Sequence, residues 1–432
     1  MSIVHTTEIS LNEIKPFILA NVKLQCTKHV TTRMSIIGSP GCGKSDIMRQ
    51  ICEEQGWGLV VKYLSNLSME QITGIPCHVE KGEEAQWSLS DLCNLSKLDY
   101  KPDNYEIGKT PTVILIDDFH LADKIIQKYL FQFLTYKAIG NSCLPENTAI
   151  IMAGNKITDK ALAHSIPAPV MNRISVYEVK ADKKDWIQNF AFKHGVRDDI
   201  ISFINSRGDE FLVQEPIESS PWASPRSWTF LSEQMDVYEE MFGPLPIDKL
   251  NIIANGLIGA EYASEFIAYR EIFAKWNIDL LFNMSNDKLA NLFTKEISKN
   301  SINAYAIINS TMTWMINKSK EMNYDTHNPL LKKTIDFAYN ILTIVLNVKC
   351  NGVQIKPLVI SGLNYMYLYT QSITDLSISA KFKKVRIVFL KNLEQKRAID
   401  WLLYEIISYI FNIELDSNDK REIEKAKANF KI

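Results

Sequence analysis

Short apolar runs alternate with helical stripes through the first half of the chain. Apolar stretches centred on Met34–Ile37, Leu59–Val61, Val113–Ile116 and Ala149–Ala153 are bounded by Gly, Pro or acidic residues. They predict strands over 34–37, 58–64, 111–118 and 148–153, with another over Ile174–Val179. Four consecutive apolar residues at Val113–Ile116 point to a strand buried on both faces. Between the runs the period changes. Ile47, Met48, Ile51 and Cys52 mark an amphipathic helix, and Ile125, Ile126, Tyr129, Leu130, Phe133 and Leu134 mark a strong one over Asp123–Lys137. Residues 1–30 read as a short arm and a helix, with Phe17, Ala20 and Leu24 on one face and Pro16 in the first turn. Asp182–Phe192 and Asp199–Asn205 read as helices. Ser224 is placed to cap another, with Pro225 at its first position.

The pattern is less regular in two places. Residues 65–110 hold a turn at Gly74 and Pro76 and a small hairpin around Gly82 and Trp87, an insertion that would project from the sheet. Beyond about residue 275 the chain is rich in Asn, Lys and Ile. Stripes at Leu289, Leu292 and Phe293, at Ile335, Ala338 and Ile341, and at Trp401, Leu402, Ile406 and Ile410 predict helices. Residues 352–360 and 385–390 read as short strands, and Asp416–Lys431 as a charged, solvated helix.

Composition narrows the class. A chain of 432 residues exceeds one hydrophobic core and implies two or three domains. With 46% hydrophobic and 23% charged residues it is an ordinary globular sequence. A net charge of −2 carries no electrostatic footprint for nucleic acid. Seven cysteines without a C-x-x-C pair point to reduced thiols and a cytoplasmic setting, and seven histidines show no metal spacing. The polar start of the chain predicts no secretory leader. The longest apolar stretch, Ile335–Val348, contains Asp336 and Asn340 and is too short to span a membrane.

The chemistry concentrates where the first apolar run ends. Gly38-Ser39-Pro40-Gly41-Cys42-Gly43-Lys44-Ser45-Asp46 fits the G-x-x-x-x-G-K-[ST] pattern between a strand and a helix. Glycines let the backbone curl and turn its N–H groups toward phosphate oxygens. The phosphates would sit at a helix N-terminus. Lys44 brings a point charge to the outer phosphates, and Ser45 a hydroxyl for Mg²⁺. Asp117 and Asp118 end the doubly buried run, at the strand end where open α/β sheets bind ligands. Asp117 can join the metal shell and Asp118 can orient the attacking water. Two solvated acids in a turn is the alternative. Asn155 follows another strand end, where a turn Asn is the ordinary reading. His120 follows the acidic pair and reads as structural. Arg173 begins a strand. Arg226 lies in a first helical turn, where the helix dipole disfavours a cation, which hints at an anion nearby.

In this order the parts resemble an AAA+ ATPase, and within that class the MoxR branch and the dynein-related ATPases of bacteria and phages. The resemblance covers roughly residues 10–270. Gly38–Ser45 matches the Walker A motif and Ile114–Asp118 the Walker B motif. Met152–Asn155 resembles sensor 1, Val170–Arg173 an arginine-finger segment, and Ser224–Trp228 the start of sensor 2. Ile72–Pro76 with Trp87 resembles the insert of this branch, and Gly259–Phe266 a segment of its lid. The resemblance implies that Asn155 contacts the water or the γ-phosphate. It implies that Arg173 reaches the ATP of a neighbouring subunit and that Arg226 senses ATP on its own subunit. A finger in trans implies a homo-oligomeric ring, commonly a hexamer. The family usually has Glu where this chain has Asp118. The missing methylene retracts the carboxylate by about 1.5 Å, and a misplacement of that order can cost ~10²-fold in rate.

The resulting expectation is an α/β fold: an AAA+ P-loop core with a parallel sheet over residues 1–215, including the insert around 65–110, a helical lid over 216–274, and a mostly helical part over 275–432. The expected function is Mg²⁺-dependent ATP hydrolysis by a ring motor that remodels a protein client. The resemblance also implies a von Willebrand A-type partner for some members. A nucleic-acid motor and an ATP-loaded assembly switch are the rival readings.

Overall fold

A computed structural model of the chain describes residues 8–28, 32–77, 87–122, 124–156, 168–216, 220–299, 302–347 and 355–395. The chain divides into two compact units, Met1–Asp185 with Val213–Ser227, and Trp186–Leu212 with Trp228–Ile432.

The first unit opens with β1 (Ile9–Ser10) and α1 (Leu11–Thr27). Next come β2 (Arg33–Gly38), α2 (Lys44–Gln55), β3 (Gly58–Tyr63) and the short α3 (Met69–Thr73). β4 (Thr112–Asp117) and α4 (Lys124–Tyr136) follow, then a small hairpin of β5 (Ala138–Ile139) and β6 (Ser142–Cys143). β7 (Thr148–Gly154), α5 (Ala168–Met171), β8 (Ile174–Lys180) and α6 (Lys183–Asp185) complete it. Six strands form one sheet in the order β1-β8-β2-β7-β4-β3. Every pairing in it is parallel, as expected of strands joined by helices.

β4 shows why its sequence is apolar without alternation. Val113 and Leu115 enter the core layer under α1 and α2, with Leu59, Ile151 and Met48. Ile114 and Ile116 enter the opposite layer under α4, with Leu130, Phe133 and Leu134. Both faces are covered, so both parities are hydrophobic. The insertion joins the α4 layer through Ile72, Leu92 and Leu95. Where the hairpin is expected, an antiparallel bridge joins Pro76 and Trp87; Gly82 lies outside the described residues.

Helix α1 reverses the expected face. Phe17 and Leu24 are exposed, and Ile14, Ile18, Val22 and Gln25 are buried. Pro16 lies inside the helix rather than in its first turn, because Ser10 and Glu13 form a capping box ahead of it. The misleading residue is Gln25, a polar side chain used as backbone. Its Nε2 donates to the Ile150 carbonyl and its Oε1 accepts from the Ile150 N–H, both at 2.9 Å. The β2–β7 register begins only at Met34 and Ile151, so the amide stands in for a strand residue beside Ile150.

The second unit is helical. A π-helical turn, Trp186–Ala191, replaces the second half of the helix expected over 182–192. It leads to α7 (Asp198–Ser206). α8 (Pro225–Phe242), whose residues 225–227 belong to the first unit, α9 (Ile247–Ile258), α10 (Ala260–Lys275), α11 (Ile278–Leu281) and α12 (Asn286–Lys299) follow. α13 (Ile302–Glu321), α14 (Pro329–Asn347), α15 (Ile355–Ser372) and α16 (Leu376–Gln395) end the described chain. α13 is the central rod, with Ile307, Ile308, Met312 and Met315 buried among α10, α12, α14 and α15. Gly362 of α15 lets that helix come close: a Cβ there would lie 2.3 Å from Ile308 Cγ2. The strand expected over 385–390 is part of α16, and residues 355–360 of the other expected strand belong to α15. In α16, Phe382, Val385 and Arg386 stand at helical spacing and form one buried face. Residues 352–354, the stripe at 401–410 and the segment 416–431 lie outside the described residues. Among the described residues no helix is long and apolar enough to cross a membrane.

Replacing Gln25 by Ala leaves the N–H and carbonyl of Ile150 buried without partners. The cost expected is about 2–4 kcal/mol of unfolding free energy. A urea titration checks it, and a change below about 0.5 kcal/mol would show that the amide is dispensable.

Candidate functional site

Parallel strands bring their C-terminal ends to one edge of the sheet. At that edge β2 runs into the glycine loop and β4 into Asp117, and β7 delivers Asn155 between them, following the strand order β2-β7-β4. In the loop, Gly41 and Gly43 have φ of 74° and 103°, a region closed to most side chains. Gly38 meets β8 so closely that a Cβ would lie 2.6 Å from the Val179 carbonyl. Gly43 occupies the N-cap of α2, so the free N–H groups of the first turn face the loop. Asp46 sits in that turn, exposed, where a carboxylate suits the helix dipole. Ser39 accepts from the Cys42 N–H at 3.3 Å, closing the turn across Pro40. The Cys42 thiol is buried, and burial raises its pKa.

Lys44 is buried and fully engaged. Its ammonium donates to the Gly38 carbonyl at 2.8 Å, the Ser39 carbonyl at 3.1 Å and Asn155 Oδ1 at 3.0 Å. Ser45 Oγ donates to Asp117 Oδ2 at 2.5 Å, tying α2 to the end of β4. Asn155 turns its other end to the second acid, with Nδ2 3.4 Å from Asp118 Oδ1. Burial, and then the neighbouring Asp117, push the Asp118 carboxyl above the ordinary range. Lys44 and Arg226 pull the other way. The backbone of Asp118 is left-handed, with φ of 51°, which Asp tolerates better than most residues.

Two of the predicted residues lie elsewhere along the loop and sheet. Arg226 meets the loop from α8: its N–H donates to the Gly41 carbonyl at 3.3 Å, and its side chain is exposed. Ser224 caps α8 by accepting from the Ser227 N–H at 3.2 Å. Arg173 lies at the other end of the sheet. Register places Ile174 beside Arg33 and Val179 beside Gly38, so Arg173 is about 17 Å from its own loop. Its Nε donates to Thr135 Oγ1 at 3.0 Å, and its guanidinium stacks 4.1 Å above the Phe131 ring.

The site fits Mg²⁺ and a polyphosphate by its donors. A hydroxyl and a carboxylate in contact are hard oxygen ligands of the kind Mg²⁺ takes, the remaining positions going to phosphate and water. Among the described residues no cluster of three or more His, Cys, Asp or Glu forms a metal site by itself.

His120, read from sequence as structural, is buried beside this edge. A Cβ on Gly154 would lie 1.9 Å from its Nδ1, and Nδ1 has no hydrogen-bond partner among the described residues. The ring therefore seats the end of β4 against the end of β7, and only glycine leaves room for it. Burial, and then Lys44, push its pKa down to about 4 from the ordinary 6.5.

No family model matches the sequence, and comparison with curated proteins finds no match. Among solved structures the chain is similar to two point mutants of RuvB from Thermotoga maritima, each at 13% identity. The match covers 62% of this chain and 76% and 75% of those chains, with TM-scores of 0.34 and 0.32.

The depressed pKa of His120 makes an acid-side prediction. The folded state resists protonation that the unfolded chain accepts, so the stability from neutral burial is present above pH 6.5 and lost as pH falls through about 4. The loss expected from this residue is about 3 kcal/mol. Urea unfolding across that pH range checks it, and His120→Leu should flatten the dependence. An unchanged slope in the variant would assign the acid lability to other groups.

Proposed function

We propose that this chain is a Mg²⁺-dependent ATP hydrolase of the AAA+ class that works as a ring and remodels a protein client. The observation that carries the reading is the meeting of three strand ends. Lys44 bonds to Asn155 and Asn155 to Asp118, and the Asp118 N–H donates to Asp117, the partner of Ser45. Each group then has a task. Backbone N–H groups of the loop bind phosphate oxygens, and Lys44 turns from Gly38, Ser39 and Asn155 to the outer phosphates. Ser45 and Asp117 hold Mg²⁺, which when bound offsets phosphate charge. Asp118 and Asn155 hold the attacking water in line with the γ-phosphate, and Arg226 contacts the same nucleotide.

Arg173 supports the ring. It lies about 17 Å from its own loop, too far to serve it. A role at a nucleotide requires the loop of a neighbouring copy, and Arg173 would then leave Thr135 and Phe131. In this reading residues 1–215 form the motor core, 216–274 its lid, and 275–432 the part that selects the client, since the core carries no information about one.

Phosphate release from Mg-ATP, measured over a range of protein concentrations, tests the reading. Activity per subunit should climb with concentration. Arg173→Ala should lower it by ~10³-fold or more while ATP still binds. Lys44→Ala should remove binding itself. A concentration-independent rate that survives Arg173→Ala would rule out the ring. ATP binding without phosphate release at any concentration would favour the assembly switch.

A further inference from the structure

Inside the helical unit three helices turn polar groups toward one another. Thr313, Asn317 and Lys320 stand on one face of α13, at i, i+4 and i+7. Tyr365 and Tyr369 stand one turn apart on α15, and Asp198 is the first residue of α7. Both of those helices pack on α13. With Phe192, these side chains line a cleft of about 10 Å³, room for one group the size of a water molecule.

The acid in the cleft is only partly satisfied. Tyr365 donates to Asp198 Oδ1 at 3.1 Å, and Asn317 donates to Oδ2 at a long 3.4 Å. A carboxylate offers about four acceptor sites, so both oxygens keep capacity. Burial raises this carboxyl above the ordinary carboxylate range, and Asn317, Tyr365 and Lys320 offset only part of the rise. Thr313 Oγ1 is also buried and makes no well-formed hydrogen bond among the described residues. Much of the remaining lining is aromatic. The Phe192 ring meets Tyr365 and Tyr369 edge to face, each at 5.4 Å between centroids. Lys320 is exposed, and its ammonium lies over the Tyr369 ring, 4.9 Å from the centroid.

Acceptor oxygens beside aromatic faces suit a cation that carries N–H donors. Size narrows the choice. An ammonium is about as large as water, whereas a guanidinium or a quaternary ammonium is larger than the cleft. We propose that this cleft binds a primary ammonium head, held by Asp198 and Thr313 against the tyrosine rings, with Lys320 as the resident cation that competes for it. Such a head belongs to a lysine side chain of another polypeptide or to a free polyamine. All of these residues lie in the helical unit, and the site is independent of the nucleotide reading.

Titration calorimetry of the full-length protein with n-butylammonium chloride, at constant ionic strength, tests the site. Asp198→Asn, which keeps the shape of the side chain, should weaken binding about tenfold or more. Lys320→Met should tighten it about threefold. A folding defect can only weaken binding, so the gain in the second variant separates a binding role from a structural one. Tetramethylammonium, which has no N–H, and n-butanol, which has no charge, should each bind about tenfold more weakly than butylammonium. Nα-acetyl-lysine methylamide and putrescine then distinguish the sources. Tighter binding of the first identifies a polypeptide lysine, and tighter binding of the second a free polyamine. No binding of butylammonium, an unchanged affinity in Asp198→Asn, or no gain in Lys320→Met would overturn the proposal. So would n-butanol binding as well as butylammonium, the mark of a cleft that holds any water-sized polar group.

Discussion

The hydrogen bond between Ser45 and Asp117 joins two strands that are not neighbours. β7 lies between β2 and β4, so the loop after β2 reaches the end of β4 only across the edge of the sheet. Helix α2 makes this reach by starting at Lys44, directly beyond the loop. Asn155 fills the gap from β7 and bonds to both sides, to Lys44 and toward Asp118. A slip of one residue in any of the three strands would send these side chains to the other face of the sheet. The two hydrophobic layers, which fix that register by their opposite parities, are therefore the foundation of the site.

Much of this was legible in the sequence. The glycine pattern and the apolar run ending in two acids required only local chemistry, and the parallel sheet followed from strands alternating with helices. Asn155 and Arg226 were ordinary residues locally, and their places at the loop depend on tertiary register. Gln25 is a polar side chain in a core position, which apolar periodicity does not reveal, and it hides the buried face of α1. The β-branched residues of α15 and α16 looked like strands because propensity is a weak guide where packing decides.

The helical unit follows other rules. Its centre is one helix, α13, buried on nearly all sides and carrying polar residues such as Asn309 and Thr311 inside. Their groups are partly satisfied within the unit: Asn309 donates to the buried hydroxyl of Tyr269, and Thr311 to the carbonyl of Ile307. Arg197 and Arg270 gather Asp199, Asp236 and Glu239 into an ion cluster among α7, α8 and α10. Such a network ties three helices to one another by charge and geometry as well as by hydrophobic area.

Lys44 is satisfied within the chain: its three bonds go to the carbonyls of Gly38 and Ser39 and to Asn155. On the proposed reading a phosphate would have to take the ammonium from oxygens that hold it, so binding would be an exchange of partners and the enthalpy gained the small difference between two good sets. The oxygens given up would belong to β2, the loop and the residue after β7, and occupancy at one nitrogen would register on two strands as a change in which of their acceptors are free.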